Sequence, residues 1–320
     1  MAETRAHSPS VYIIFLNWNN SEETLECLES LKRLTYGNFK VVIIDNNSTD
    51  DSLLYLKNFK KEQTIYDIDI IENERNAGFA EGNNIGMRYA LEQGADYVLF
   101  LNNDMKVDPM FLSEMMDVAQ NNEKAGIIGS TIFFYDKKNL IWFGGDTPMK
   151  WTKMDEMIAS TCDFYKKKLP PAVPPIQVSF ITGACMLIRR EALEKTGGFD
   201  KRFFLYFEDA DLCFQIQDAG YELWWQPKAK LWHKVSATTL PKLGSPRLHY
   251  YHVRNVLLLG FKNGPWWLYL YHPLWAVYTA VKQMIKIIIG RQRDISKARL
   301  RGVIDYYRER FGKYEDIYKK

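Results

Sequence analysis

The chain is poor in the features that assign a class at a glance. Cysteine is scarce: four in 320 residues, Cys27, Cys162, Cys185 and Cys213, without a CxxC pair or metal-ligand spacing. That excludes a disulfide scaffold and a zinc ribbon, and it predicts buried free thiols in a reducing compartment. Net charge is only +3, too small to indicate a nucleic-acid partner, and none is expected. Neither GxGxxG nor GxxxxGK[ST] occurs, which removes the usual dinucleotide and P-loop signatures. Repeats and low-complexity tracts are absent as well. The amino terminus offers one short apolar run from Val11 that already includes Asn17. It reads as a first strand and not as a signal peptide, so a cytoplasmic protein is expected.

What remains is the composition of a globular protein, 47% apolar and 25% charged, with length enough for a sizeable core. Strand and helix patterns alternate over the first hundred residues. "VYIIFLNW", "FKVVIIDNNSTDDS", "YDIDIIENE" and "DYVLFLNND" read as strands. Between them lie three helices: "SEETLECLESLKRL", with Ser21 as N-cap, "DSLLYLKNFKK" and "AEGNNIGMRYALEQG". Such units predict an α/β, Rossmann-like fold with a mainly parallel central sheet flanked by helices. Ligands of such sheets bind beyond the carboxyl ends of the strands. Asn17, Asp45–Asn47 and Asn102–Asp104 should therefore gather along one edge. Residues 126–150 read as short strands, and 151–175 as a Lys- and Pro-rich excursion. After about residue 245 the pattern changes to long aromatic-rich helices. The organisation expected is a catalytic domain over 1–245, with a nucleotide-binding half near 10–125 and an acceptor half near 126–245. A helical extension follows over 246–320.

Several side chains stand where chemistry could use them. Asp45 ends a buried strand and suits a base N–H or a ribose hydroxyl, although a turn before the next helix accounts for it equally. Asp104 leaves another strand where it could hold a hard divalent cation, while Asp108 reads as a helix cap before Pro109. In "NERNAGFAEGNNIGM", Gly78 and Gly82 would let backbone approach a ligand, and Arg75 could pair with a phosphate. His233 could join Asp104 at a metal, or be structural. "FLYFEDADLCFQ" sets Glu208, Asp209 and Asp211 among apolar residues, where a carboxylate needs a partner or a task. At most one of Glu208 and Asp209 suits proton transfer, and Asp211 reads as serving the N-terminal N–H groups of the next helix.

Six blocks in order, "IIFLNWNNSEETLECLESL", "VVIIDNNSTDDS", "NERNAGFAEGNNIGMRYAL", "YVLFLNNDMKVDP", "FITGACMLIRREALEKTGGFDKRFFLYFEDADLCFQIQDAGY" and "HYYHVRN", resemble family 2 glycosyltransferases of the GT-A fold, in particular their bacterial rhamnosyltransferase-like branch. The resemblance spans roughly residues 10–260. It implies that Asn17, Asp45, Arg75, Gly78, Asn83, Asn103 and Asp104 face a nucleotide-sugar. It further implies that Asp104 and His233 hold Mg²⁺ or Mn²⁺, and that Asp209 is the catalytic base with Glu208 beside it. Asn102-Asn103-Asp104 replaces Asp-x-Asp, leaving that motif one carboxylate for the metal. The implied reaction is inverting transfer, with dTDP-L-rhamnose the favoured donor and a UDP-hexose or GDP-sugar the alternative. The implied acceptor is a glycan or a polyprenyl-diphosphate-linked sugar in bacterial cell-surface polysaccharide synthesis. A non-catalytic nucleotide-sugar-binding subunit and a membrane-surface interaction protein are the readings from other classes.

The tail "FKNGPWWLYLYHPLWAVYTAVKQMIKIIIGRQR" crowds Trp and Tyr beside Lys and Arg. It is too interrupted for a spanning helix. It suits a peripheral segment on the inner face of the cell membrane, packing on the catalytic domain, or a homodimer interface.

Overall fold

Four strands in the first hundred residues are apolar along nearly their whole length, the pattern of strands covered on both faces. In the computed structural model, which describes residues 8–145, 173–234 and 239–314, these are β1 (Val11–Asn17), β2 (Phe39–Asp45), β3 (Ile68–Glu72) and β4 (Tyr97–Leu101). They pair in parallel in the order β3–β2–β1–β4. The intervening helices are α1 (Ser21–Leu31), α2 (Ser52–Glu62) and α3 (Gly78–Glu92). Alternation along β1 shows why both faces must be covered. Val11, Ile13 and Phe15 enter one core with Cys27 and Leu28 of α1, whereas Tyr12 and Ile14 enter another with Ala80 and Met87 of α3.

The sheet continues through β9 (Cys185–Arg189), β6 (Ala125–Phe134), β10 (Glu222–His233) and β5 (Met105–Val107). β9 lies antiparallel between β4 and β6, so β6 and β10 return to the direction of β1–β4. β5, β7 (Ile141–Phe143) and β8 (Ile176–Val178) oppose their neighbours. Six strands thus share one direction, giving the mainly parallel central sheet expected. Helix α4 (Phe111–Asn121) joins α1 and α2 on one face, and α5 (Arg190–Thr196) and α6 (Glu208–Asp218) join α3 on the other.

Three C-terminal helices follow: α7 (Thr239–Asn263), α8 (Leu268–Ile288) and α9 (Arg293–Tyr307). The domain boundary expected at 245/246 falls inside α7. Val253 and Leu257 of α7, Trp275 of α8 and Val303 of α9 share a core with Phe203, Phe207 and Ala210 of the acidic segment. Among the described residues, no helix is long and apolar enough to cross a membrane.

Two smaller expectations need comment. The N-cap position of α1 is Asn20 and not Ser21, and no side chain caps it; Ser21 already has helical backbone. Most of the excursion expected over 151–175, with Cys162, lies outside the described residues. Cys27, Cys185 and Cys213 are free and buried, and burial pushes all three thiols up, Cys185 to about 12.

Candidate active site

Parallel register brings the ends of β1 and β2 together, with Asn17 opposite Asp45. Asn17 donates to Asp45 Oδ1 at 3.0 Å, and the Ser48 backbone N–H donates to Asp45 Oδ2 at 3.0 Å. The Ser48 hydroxyl donates to Asp45 Oδ1 at 2.6 Å, so Ser48 serves this carboxylate. Thr24 donates to Asn17 Oδ1 at 2.9 Å and accepts from Asn103 Nδ2 at 2.8 Å. One continuous chain of hydrogen bonds therefore runs from the end of β4 to Asp45. It fixes how Asp45 is presented, because each amide in it already has its partner.

Asp104 follows β4, and β5 then turns back antiparallel to β10, setting His233 opposite Met105. The Lys234 N–H donates to the Asp104 carbonyl at 3.1 Å, closing the junction. His233 Nε2 lies 3.1 Å from Asp104 Oδ1, and both side chains are buried. Asp104 Oδ1 nevertheless accepts no hydrogen bond. Two atoms binding adjacent positions of a small octahedral cation at about 2.1 Å lie about 3.0 Å apart. The pair fits a divalent cation on both counts, spacing and unspent oxygen. Among the described residues no group of three His, Cys, Asp or Glu could hold a metal, so this pair would supply two positions of such a cation's coordination. Burial works to raise the Asp104 carboxyl, but His233 and Lys234 beside it hold it below the ordinary range. The edge of Trp142 packs on the imidazole, ring centroids 4.5 Å apart.

The loop after β3 is organised by Asn46, one of the polar strand-end residues expected along this edge. Its side-chain oxygen accepts from Ala77 N at 2.9 Å and Asn73 Nδ2 at 3.0 Å, and its amide reaches the Gly78 carbonyl at 3.2 Å. The glycines here are in close contact with protein side chains. A Cβ on Gly78, at φ +83°, would stand 2.5 Å from the Phe204 ring, and one on Gly82 would stand 2.5 Å from Leu16. Glycine at both positions admits these protein side chains. Asn83 is buried on α3, donating to the Phe79 carbonyl at 2.9 Å, while Arg75 is exposed at the rim.

The acidic segment divides three ways. Asp209 Oδ2 accepts the Gly183 N–H at 2.9 Å, and Oδ1 accepts from Ala210 N at 2.8 Å. A Cβ on Gly183 would come within 3.1 Å of Asp209 Cβ, so glycine is what lets this strand turn meet the carboxylate. The neighbouring Ala184 carbonyl accepts from Asn102 N at 3.0 Å, which ties Asp209 to the end of β4 that carries Asp104. Burial raises the Asp209 carboxyl, and the N–H groups of Gly183 and Ala210 offset part of the rise. Glu208 is buried with Oε2 unpartnered. Burial, then the adjacent Asp209 charge, push it well above the ordinary range. Burial and its neighbour's charge thus raise Glu208 further than burial raises Asp209. Asp211 does not serve the helix N-terminus. α6 begins at Glu208, three residues too early for that. Asp211 is fully buried and accepts from Lys262 at 2.7 Å, Asn263 at 2.8 Å and Gln215 at 2.6 Å. It pins α7 to α6.

The loop ahead of Asp209 is strained. Phe204, Tyr206 and Phe207 adopt φ of +64°, +70° and +69°, each costing about 1–3 kcal/mol for such side chains. Asn255 of α7 holds it, its Nδ2 reaching the carbonyls of Phe203, Leu205 and Tyr206 at 2.9, 2.8 and 2.9 Å. Buried Arg254 adds the carbonyls of Arg202 at 3.1 Å and Phe203 at 2.8 Å. Gly183, Arg254 and Asn255 all lie in blocks visible in the sequence. No spacing rule links them to residues 50 positions away.

With this geometry in place, comparison with known proteins is informative. Residues 10–197 match the family model described as "Glycosyl transferase family 2". The dTDP-rhamnosyl transferase RfbF of Shigella flexneri is 26% identical, over 79% of this chain and 81% of that protein. An N-acetylglucosaminyl-diphospho-decaprenol L-rhamnosyltransferase of Mycobacterium tuberculosis is 24% identical, over 75% of this chain and 80% of that one. In fold, the chain is similar to a mannosyltransferase from Pyrobaculum calidifontis solved with GDP-Man and Mn²⁺. The TM-score is 0.59 at 13% identity, over 95% of this chain and 88% of that one.

Proposed function

The chain belongs to glycosyl transferase family 2, and from that premise we propose inverting transfer of a sugar from a nucleotide-sugar to an acceptor hydroxyl, with Asp209 as general base. The geometry of Asp209 carries the reading. It is a carboxylate held at fixed orientation by the Gly183 N–H, and the adjacent Ala184 carbonyl meets the strand end bearing Asp104.

In the step proposed, the acceptor oxygen attacks the anomeric carbon and the bond from that carbon to the diphosphate oxygen breaks. The acceptor proton passes to Asp209, and the nucleoside diphosphate leaves. Attack opposite the leaving group needs one base only. Asp45, oriented by Asn17 and Ser48, receives donors of the nucleoside. Arg75, Gly78, Asn83 and Asn103 line or support the same edge. Asp104 and His233 would hold Mg²⁺ or Mn²⁺, which supplies positive charge to the departing diphosphate.

For the donor we favour dTDP-L-rhamnose, and for the acceptor a polyprenyl-diphosphate-linked sugar or glycan in cell-surface polysaccharide synthesis. The rhamnosyltransferase names of two relatives aligned over most of their length support this choice. Nucleoside diphosphate release, measured across dTDP-rhamnose, UDP-hexoses and GDP-mannose with Mn²⁺ and a lipid-linked acceptor extract, tests it. Release from dTDP-rhamnose ahead of the others is expected. Turnover only with a UDP- or GDP-sugar overturns the donor, and no turnover with any donor returns the binding-subunit reading.

A further inference from the structure

We propose that the outer face of α8 docks on an anionic lipid bilayer. The helix has two unlike faces. Leu268, His272, Trp275, Ala276, Thr279 and Gln283 are buried toward α7 and α9. The other face carries Leu270, Leu274, Val277, Val281, Met284 and Ile288, all exposed; Leu270 and Leu274 are 70% exposed and Ile288 is 82% exposed. Steps of four and three residues stack them along one side of the helix. Exposed Trp266, Tyr269, Tyr278, Ile285 and Ile289 widen the stripe to roughly half the circumference at about 100° per residue. An apolar surface of that extent is an interaction site.

Charge decides what covers it. From residue 264 to residue 293 the sequence holds four Lys or Arg and no Asp or Glu. Lys282 borders the stripe, and exposed Arg291 and Arg293 follow it before the first acid, Asp294. A second copy of the chain is the rival occupant, since the same spacing suits a two-helix seam. Such a seam is narrower than this stripe. Two-fold pairing would also set exposed Arg291 and Arg293 beside a partner stripe that offers no negative charge. A layer of anionic headgroups supplies that charge, and Trp and Tyr favour its depth. No described helix is apolar and long enough to cross, so α8 lies in the plane of the interface.

Co-sedimentation of the full chain with phosphatidylcholine vesicles, with and without phosphatidylglycerol, tests the proposal. No turnover is needed, so the result stands apart from the transferase reading. Retention on anionic vesicles should exceed that on neutral ones by about tenfold or more. The double variant Leu274→Glu/Ile288→Glu should lose it at unchanged thermal midpoint, while sedimentation equilibrium finds a monomer. Should that variant misfold, Arg291→Gln/Arg293→Gln, on an exposed turn, should weaken anionic retention several-fold. Equal retention on neutral vesicles overturns the proposal. So does no retention at all, or a dimer that Leu274→Glu/Ile288→Glu dissolves.

Discussion

At the scale of single residues, the site depends on carboxylates made unequal by their surroundings. Glu208 has a raised pKa in the fold, so between its unfolded and folded values the native state binds more protons than the unfolded one. Stability therefore falls as pH rises through that window. Glu208→Gln, neutral throughout, should raise the thermal midpoint more at pH 8 than at pH 5, by roughly 2–4 °C for each kcal/mol recovered. An equal shift at both pH values would contradict a protonated Glu208. Asp104→Ala and His233→Ala should each weaken Mn²⁺-dependent nucleoside diphosphate binding by about tenfold or more, with little effect on binding in chelator; titration calorimetry checks both. Asp45, Asp104 and Asp209 were legible as acids because each ends a strand or opens a helix in apolar surroundings. Asp211 looked the same and was misjudged. Its partners, Lys262 and Asn263, are distant in sequence, and a helix start moved by one turn changes which acid sits at the terminus.

At the scale of elements, the first four strands and their helices were readable because a parallel sheet buried on both faces leaves continuous apolar runs. The direction of β9 was not. An apolar run of five residues fits either sense, and pairing on both sides with β4 and β6 selects the antiparallel one. Nor could the sequence foretell that α7 acts as a clamp on the loop that aims Asp209. The strain at Phe204, Tyr206 and Phe207 persists only while neighbours over-determine it, and Asn255 is the chief of those. Asn255→Ala should cost about 2–4 kcal/mol in denaturant stability through three lost hydrogen bonds. In the folded variant it should lower kcat while leaving donor KM unchanged, because Asn255 positions the base and touches no ligand. A rise in KM at constant kcat would contradict that role.

At the scale of the whole molecule, the sheet gathers Asp45, the Asp104–His233 pair and Asp209 along one edge, the positions proposed for nucleoside, cation and base. The C-terminal helices hold the base from behind and turn an apolar, acid-free face outward. In the function proposed, the donor meets strand ends up to Asp104 together with His233, and the base is aimed by contacts that cross the chain. The two should separate experimentally. The most direct measurement is sugar transfer and nucleoside diphosphate affinity determined on the same preparation of Asp209→Asn. The account predicts kcat lower by about 10²–10⁴-fold, with nucleotide affinity within about twofold of the parent chain. Transfer at the parental rate would remove Asp209 as the base and with it the mechanism proposed.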